Sequence, residues 1–151
     1  MIQEAAIGVG SNVGAREEQI MAAARALEAT HGIHAMEIAS IIATEPVLDT
    51  ADPLHPAYFN TVFIVQTSLS AEVLMARLLA IEASLGRRRD GDVSPRTIDL
   101  DLLLLGKEVR STAALTLPHP RLPNRAFVIE PLRELRPILA EKHETTSHDL
   151  G

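Results

Sequence analysis

The stretch Thr97-Ile98-Asp99-Leu100-Asp101-Leu102-Leu103-Leu104-Leu105, closed by Gly106, constrains this chain more than any other segment. It reads as a buried strand. Side chains two apart on a strand share a face. Asp99 and Asp101 are then neighbours on one side, while Ile98, Leu100 and Leu102 line the other. Their Cα atoms would lie about 6–7 Å apart. Two like charges inside an apolar strand repel each other and resist burial. A divalent cation resolves both problems. Hard oxygen ligands with no nearby Cys suit Mg²⁺, which usually takes one or two carboxylates plus substrate phosphates. Two such ions roughly 3.5–4 Å apart could be bridged by the pair. The competing reading is two acids at a fraying strand end, solvated or paired to arginine.

The rest of the chain supplies the partners for that strand. Ala5 to Ser11 reads as a buried strand entering a turn, extended by Asn12-Val13-Gly14. Between Ala15 and His31, Ile20, Ala23, Ala24 and Leu27 recur at helical spacing, and Gly32 stops the helix. Ile33 to Thr44 reads as one strand, and Glu45 to Pro56 as a long loop of the kind that often carries function. Tyr58 to Thr67 is the clearest strand, with Val62, Ile64 and Gln66 on one face and Phe63 and Val65 on the other. Ser68 or Ser70 caps a helix carrying Val73, Leu74, Leu78, Ile81 and Leu85, which Gly86 ends. Arg87 to Pro95 is a charged loop. Beyond the acidic strand, Lys107–Arg110 and Ala114–Leu117 suit a small hairpin, and a short helix starts after Pro123. The expected fold class is α+β: a ferredoxin-like β-α-β-β-α-β antiparallel sheet with two helices packed on one face, plus a C-terminal extension. Residues 1–140 form one domain on this reading, and residues 141–151 a polar tail. Fold alone names no function.

Composition removes several function classes. The 151 residues fit one domain with a core that needs no disulfide. No cysteine is present, which excludes thiol catalysis, redox dithiols and zinc sites with Cys ligands. Fourteen Lys and Arg against twenty Asp and Glu give a net charge of −6, so neither nucleic acid nor a membrane surface is an expected partner. The first residues lack a basic segment followed by an apolar run, and no stretch approaches the roughly 20 apolar residues a span requires. The expectation is a cytoplasmic monomer.

Against that acidic background, Arg87, Arg88, Arg89, Arg96, Arg121 and Arg125 cluster in sequence around the two aspartates. Arginine's planar fork makes bidentate, charge-assisted bonds to phosphate, so the pattern suits a polyanion; a solvated charged loop is the alternative for Arg87–Arg89. No Gly-x-x-x-x-Gly-Lys-Ser/Thr is present, which excludes a P-loop. Gly8-x-Gly10-x-x-x-Gly14 has the wrong spacing for a dinucleotide fingerprint and reads as a strand-to-helix turn. In Pro118-His119-Pro120-Arg121-Leu122, two prolines restrict the backbone around His119, which could donate to a phosphate. His31, His34, His55, His143 and His148 have no metal-like spacing.

Taken in order, these segments resemble the 6-hydroxymethyl-7,8-dihydropterin pyrophosphokinase family of folate biosynthesis. The resemblance runs through Ile7-Gly8-Val9-Gly10-Ser11-Asn12-Val13-Gly14, Thr44-Glu45-Pro46-Val47, Tyr58-Phe59-Asn60 and Ile81-Glu82-x-x-Leu85-Gly86-Arg87. It continues through Pro95-Arg96-Thr97-Ile98-Asp99-Leu100-Asp101, Leu117-Pro118-His119-Pro120-Arg121-Leu122 and Asn124-Arg125-Ala126-Phe127. It implies an enzyme that transfers the pyrophosphoryl group of ATP to the hydroxymethyl oxygen of a reduced pterin, releasing AMP. It also implies two Mg²⁺ ions on Asp99 and Asp101, and ATP contacts from Glu82, Arg87, Arg89, Arg96, Ile98, His119 and Arg125. Asp99, Asp101, Arg87 and Arg96 would carry the catalysis. The pterin pocket would be formed by Thr44, Val47, Tyr58, Asn60 and Phe127. The chain departs from the family at Asp90-Gly91-Asp92-Val93-Ser94, where relatives usually carry further basic residues and a Trp. That departure motivates an alternative, a weakly active or repurposed relative that binds pterin or nucleotide without efficient transfer.

Overall fold

The centre of the computed structural model is β1 (Gln3–Ser11), which pairs antiparallel on one side with β4 (Tyr58–Thr67) and on the other with β5 (Asp99–Leu105). The structure describes residues 1–11, 16–44, 58–86, 98–120, 122–124 and 126–144. Beyond β4 lie β2 (Ile33–Ile38) and β3 (Ile42–Thr44), both antiparallel to it, giving a five-stranded sheet of order β2-β4-β1-β5 with β3 also on β4. A two-stranded ribbon, β6 (Arg110–Ser111) and β7 (Thr116–Leu117), follows β5. No described helix is long and apolar enough to cross a membrane.

One face of the sheet packs on α1 (Arg16–Glu28) and α2 (Ala71–Gly86). Their stripes are those the helical spacing gives: Ile20, Ala23, Ala24 and Leu27 from α1, and Leu74, Leu78 and Ile81 from α2, against Ile7, Val9, Phe63, Val65, Leu100 and Leu102. Val73, counted in that stripe from sequence, is exposed. Ser70, rather than Ser68, caps α2: its Oγ accepts the Val73 N–H at 3.2 Å. Gly32 ends the α1 connection at φ 96°, and a Cβ there would fall 2.5 Å from Leu69 Cδ2, so only glycine fits.

The other face carries Ala6, Val62, Ile64, Leu103 and Leu104, covered by α3 (Ala126–Leu135) and α4 (Pro137–Glu144). The expected pair of helices on one face is therefore present, and the C-terminal segment builds a second layer opposite it. Since α4 continues to Glu144, it crosses the boundary at residue 140 drawn from sequence.

Gly8 and Gly10 lie within β1, paired on both sides, as the strand read over Ala5–Ser11 places them; the turn expected to follow, with Gly14, falls outside the described residues. One further reading is corrected. The span Ile33–Thr44 is two strands. Ile38 pairs with Phe63, but Asn60 pairs with Ile42, so one extra residue is accommodated across Ala39–Ile41. The β2–β4 ladder also shifts register between Ile33 and Ala35, and a further bulge interrupts the β1–β5 ladder, where Ile7 faces Leu102 and Ala6 faces Leu104. Leu103 is the extra residue. It turns to the α3–α4 side together with Leu104.

The C-terminal layer is also tied down by charge. Arg136, between α3 and α4, donates to Glu4 of β1 at 2.9 Å and to Glu37 of β2, and Gln66 of β4 donates to the same Glu4 oxygen at 3.0 Å. Hydrogen bonds to Glu37 and Glu4 raise the Arg136 pKa. Burial works to raise the Glu4 carboxyl, but the hydrogen bonds from Arg136 and Gln66 outweigh it and hold the group below its ordinary value. A lowered carboxyl contributes stability that is full above the ordinary value of 4.5 and is lost as pH falls through the native one. Arg136→Met should therefore cost about 1–2 kcal/mol near neutral pH, roughly 2–6 °C in Tm. Thermal melts at several pH values check this: the gap to the unmodified chain should narrow below about pH 4, and a gap independent of pH would refute the role of Glu4.

Candidate active site

Because β1 is central, the register across it fixes which side chains meet on the α3–α4 side of the sheet. Asn60, Gly10 and Asp99 form one lateral row, and Val62, Gly8 and Asp101 the next. Cross-strand partners share a face, so both aspartates stand on the side of β5 that the sequence assigns them, next to two positions with no side chain. The glycines leave room there. A Cβ on Gly10 would come within 3.1 Å of Asn60 Oδ1, and one on Gly8 would meet Leu103 Cδ1 at 3.4 Å. Gly10 thus lets the amide of Asn60, a 5% exposed polar residue, approach the backbone of β1 in the row that ends at Asp99. Leu100 of the same strand and Ile98, the residue just before it, are buried in the α1–α2 layer.

β5 is the outer strand of the sheet, and Glu82 of α2 closes its free edge. Glu82 is 8% exposed, and its Oε2 accepts the Leu100 N–H at 2.6 Å. The bond falls on the residue between the two aspartates. It fixes both of them by pinning the backbone they share. On the same strand the bulged Leu103 offers its carbonyl to the His119 N–H at 2.9 Å, and the His119 carbonyl accepts the Leu122 N–H at 3.1 Å. His119 is thus held through its backbone on both sides, in agreement with the restriction expected of a residue between two prolines.

These groups border one cavity of about 320 Å³. Asp101, Glu82 and His119 are its polar residues with ionisable side chains, and Met75, Leu78 and Leu115 contribute apolar wall. The ribbon that supplies Ala113 to Thr116 is held to α2 by Arg110, which bridges Glu72 at the head of that helix and Glu108 beside the ribbon. A backbone hydrogen bond and the Arg110 guanidinium keep the Glu72 carboxyl below its ordinary value. A cavity lined by two carboxylates, a histidine and several apolar side chains suits a ligand that combines a flat apolar ring with a charged tail.

Of the sequence-derived site residues, the structure brings Asp101, Glu82 and His119 to one cavity, and Asp99 and Asn60 to one row of the sheet. Thr44 and Tyr58 pair with each other at the ends of β3 and β4, two positions from Asn60. Phe127 lies half-buried in the first turn of α3, against the second core layer. Ile98 is core. Arg87, Arg89, Arg96, Arg125 and Val47 lie outside the described residues, as do Arg88, Arg121 and the segment Asp90–Ser94. The sequence reading missed the cavity's apolar wall and the purpose of Gly8 and Gly10; the latter was signalled by two glycines at strand spacing.

Among the described residues, no three His, Asp or Glu side chains gather closely enough to hold a metal unaided. The aspartate pair still fits Mg²⁺, whose preferred set is one or two carboxylates completed by water and phosphate oxygens.

Comparison with known proteins agrees with this geometry. Residues 6–137 match the family model described as 7,8-dihydro-6-hydroxymethylpterin-pyrophosphokinase. The chain belongs to this family. It is 37% identical over 139 residues to a 2-amino-4-hydroxy-6-hydroxymethyldihydropteridine pyrophosphokinase of Pseudomonas aeruginosa, covering 92% of this chain and 84% of that one. A protein of the same name from Bacillus subtilis is 37% identical over 85% of this chain and 75% of its own. The one from Methylorubrum extorquens is 35% identical over 96% and 90%. The match spans both carboxylates, the bulges of the sheet and α3, so every element that builds the cavity lies inside the family's own region.

Glu82 offers a direct test of the local architecture. Glu82→Ala leaves the Leu100 N–H buried without this acceptor and should cost about 1–3 kcal/mol, whereas Glu82→Gln keeps an acceptor oxygen and should cost under about 1 kcal/mol. Urea unfolding separates the two; equal losses would mean that the hydrogen bond is not what Glu82 contributes.

Proposed function

We propose that this chain transfers pyrophosphate from ATP to the hydroxymethyl group of 6-hydroxymethyl-7,8-dihydropterin, in folate biosynthesis. The observation that carries the reading is the aspartate pair on one face of β5, opposite two glycines, with Asp101 sharing a cavity with Glu82 and His119, in a chain of this family. The curated relatives carry that activity in their names, which favours the active enzyme over a repurposed relative.

In this reaction the hydroxymethyl oxygen bonds to the β-phosphorus of ATP. The bond from that phosphorus to the oxygen bridging the α and β groups breaks, AMP leaves, and the hydroxyl proton is lost. Such a transfer asks a protein mainly for positioning and for neutralisation of charge. Asp99 and Asp101 would hold Mg²⁺, two ions in our reading, which supply positive charge to the triphosphate when bound. The base of the nucleotide occupies the apolar part of the cavity, beside Leu78 and Leu115, with Glu82 at its border, and Ile98, from the core, completes the nucleotide contacts. His119 donates to a phosphate oxygen, and Arg87, Arg89, Arg96 and Arg125 complete the phosphate contacts. The pterin sits over Gly10, where the Asn60 amide meets its hydrogen-bonding edge and Phe127 offers a ring face. Thr44, Val47 and Tyr58 complete that pocket. Residues 1–140 act as the functional domain in this reading, its strand and helix order is ferredoxin-like, and the protein works as a cytoplasmic monomer.

Asp101→Ala should lower turnover by about a hundredfold or more, since an electrostatic contact to the transferring group is lost. The fold should remain, because a like-charged neighbour is removed from Asp99. An assay of AMP release with ATP, Mg²⁺ and the reduced pterin, alongside a melt, decides it. Turnover within a few-fold of the unmodified chain would overturn the assignment of Asp101.

A further inference from the structure

The bulge between β2 and β3 decides which face of the sheet β3 presents. Ile38 faces Phe63, and continued pairing without interruption would set Ile41 opposite Asn60 and move position 44 to the α1–α2 face. Instead Ile42 faces Asn60 and Thr44 faces Tyr58. A shift of one residue exchanges the two faces of a strand. The extra residue therefore brings position 44 onto the face of Asn60 and Asp99.

Hydrogen bonds on both sides hold that extra residue. The Ala39 N–H donates to the Val62 carbonyl at 3.0 Å, and the Thr61 hydroxyl donates to the Ala39 carbonyl at 2.8 Å. The next N–H, that of Ser40, donates to the carboxylate of Glu134, lying 3.1 Å from both oxygens. Glu134 sits two turns along α3 from Phe127. One carboxylate thus joins the root of β3 to the helix whose first turn carries Phe127, across 94 residues of sequence. Arg136, two residues on, anchors the same helix to Glu37 of β2 and Glu4 of β1, but touches neither the bulge nor β3.

We infer that Glu134 is a positioning residue for the pterin pocket: by accepting the Ser40 N–H it holds the bulge that sets β3 in register and keeps the Thr44 and Phe127 walls at a fixed separation. This rests on the pocket assigned above. It predicts a selective effect, because the Asp101–Glu82–His119 cavity is built on α2, β5 and the β6–β7 ribbon, none of which Glu134 contacts in the hydrogen-bond network.

Steady-state kinetics of the full chain test it. Glu134→Ala should raise KM for the reduced pterin about tenfold, the worth of one charge-assisted hydrogen bond, with KM for ATP within about twofold. Glu134→Gln, which keeps an acceptor oxygen, should restore most of the pterin KM. Hydrogen exchange at the Ser40 amide should speed up in Glu134→Ala and not in Glu134→Gln, a readout that needs no turnover. Phe127→Ala serves as the control for the pocket itself. If Phe127→Ala leaves the pterin KM unchanged, the pocket assignment fails. If it raises that KM while Glu134→Ala does not, the role of Glu134 alone is overturned. Proportional rises in both KM values with a falling Tm would mark Glu134 as merely structural and overturn it equally.

Discussion

An antiparallel strand with neighbours on both sides has little freedom to slip, and the site depends on that property of β1. Its even-numbered residues Ala6, Gly8 and Gly10 face the α3–α4 side, and its odd-numbered residues Ala5, Ile7 and Val9 are packed under α1 and α2. If β5 moved one residue relative to its own pleat, Asp99 and Asp101 would enter the apolar layer with Phe63 and Leu78, and Leu100 would leave it. Burying an unpaired carboxylate costs several kcal/mol, and exposing a leucine loses about 1.5–3 more. Hydrophobic packing on one face thereby sets the placement of the acids on the other. The same pattern that folds the strand orients the site.

That coupling explains why the central part of the site was legible in the sequence. Asp99 and Asp101 alternate with Ile98, Leu100 and Leu102, and alternation is the signal a half-buried strand gives. The signal stops at Leu102. Four consecutive leucines carry no phase, so nothing in Leu102–Leu105 reveals that Leu103 is an inserted residue or that its carbonyl will hold His119. The bulge at Ala39–Ile41 is hidden for the same reason. Ile38, Ala39, Ile41 and Ile42 are acceptable on either face, and the residue that fixes the bulge, Glu134, lies in another part of the chain. Bulges that depend on long-range partners leave no local mark.

The second helical layer had a signal that went unused. Val62 and Ile64 alternate with Phe63 and Val65 in β4, so both faces of that strand are apolar. A strand apolar on both faces requires cover on both, which two helices on one side cannot supply. Pro131 within α3 and Pro137 at the start of α4 obscure the helices that provide it, since proline weakens any local case for a helix interior. Leu132 and Val128 are nonetheless buried against Ile64 and Leu104, and that packing offsets the weak propensity.

The face beneath α3 and α4 changes character along three strands at once. On β1 it passes from Ala6 to Gly8 and Gly10, on β4 from Ile64 to Val62 and Asn60, and on β5 from Leu104 to Asp101 and Asp99. Because the strands are antiparallel, these changes run in opposite directions in sequence and in one direction in space. The apolar end supports the C-terminal helices; the polar, side-chain-poor end is where the acids and the amide meet. A uniformly apolar face would have bound α3 more tightly and left no place for the acids and the amide, while a uniformly polar one would have had nothing to fasten the helix that carries Phe127 and Glu134. The boundary at the Val62–Gly8–Asp101 row lets one sheet face serve as core and as site, with the rigidity of the first half passed to the second through continuous strands.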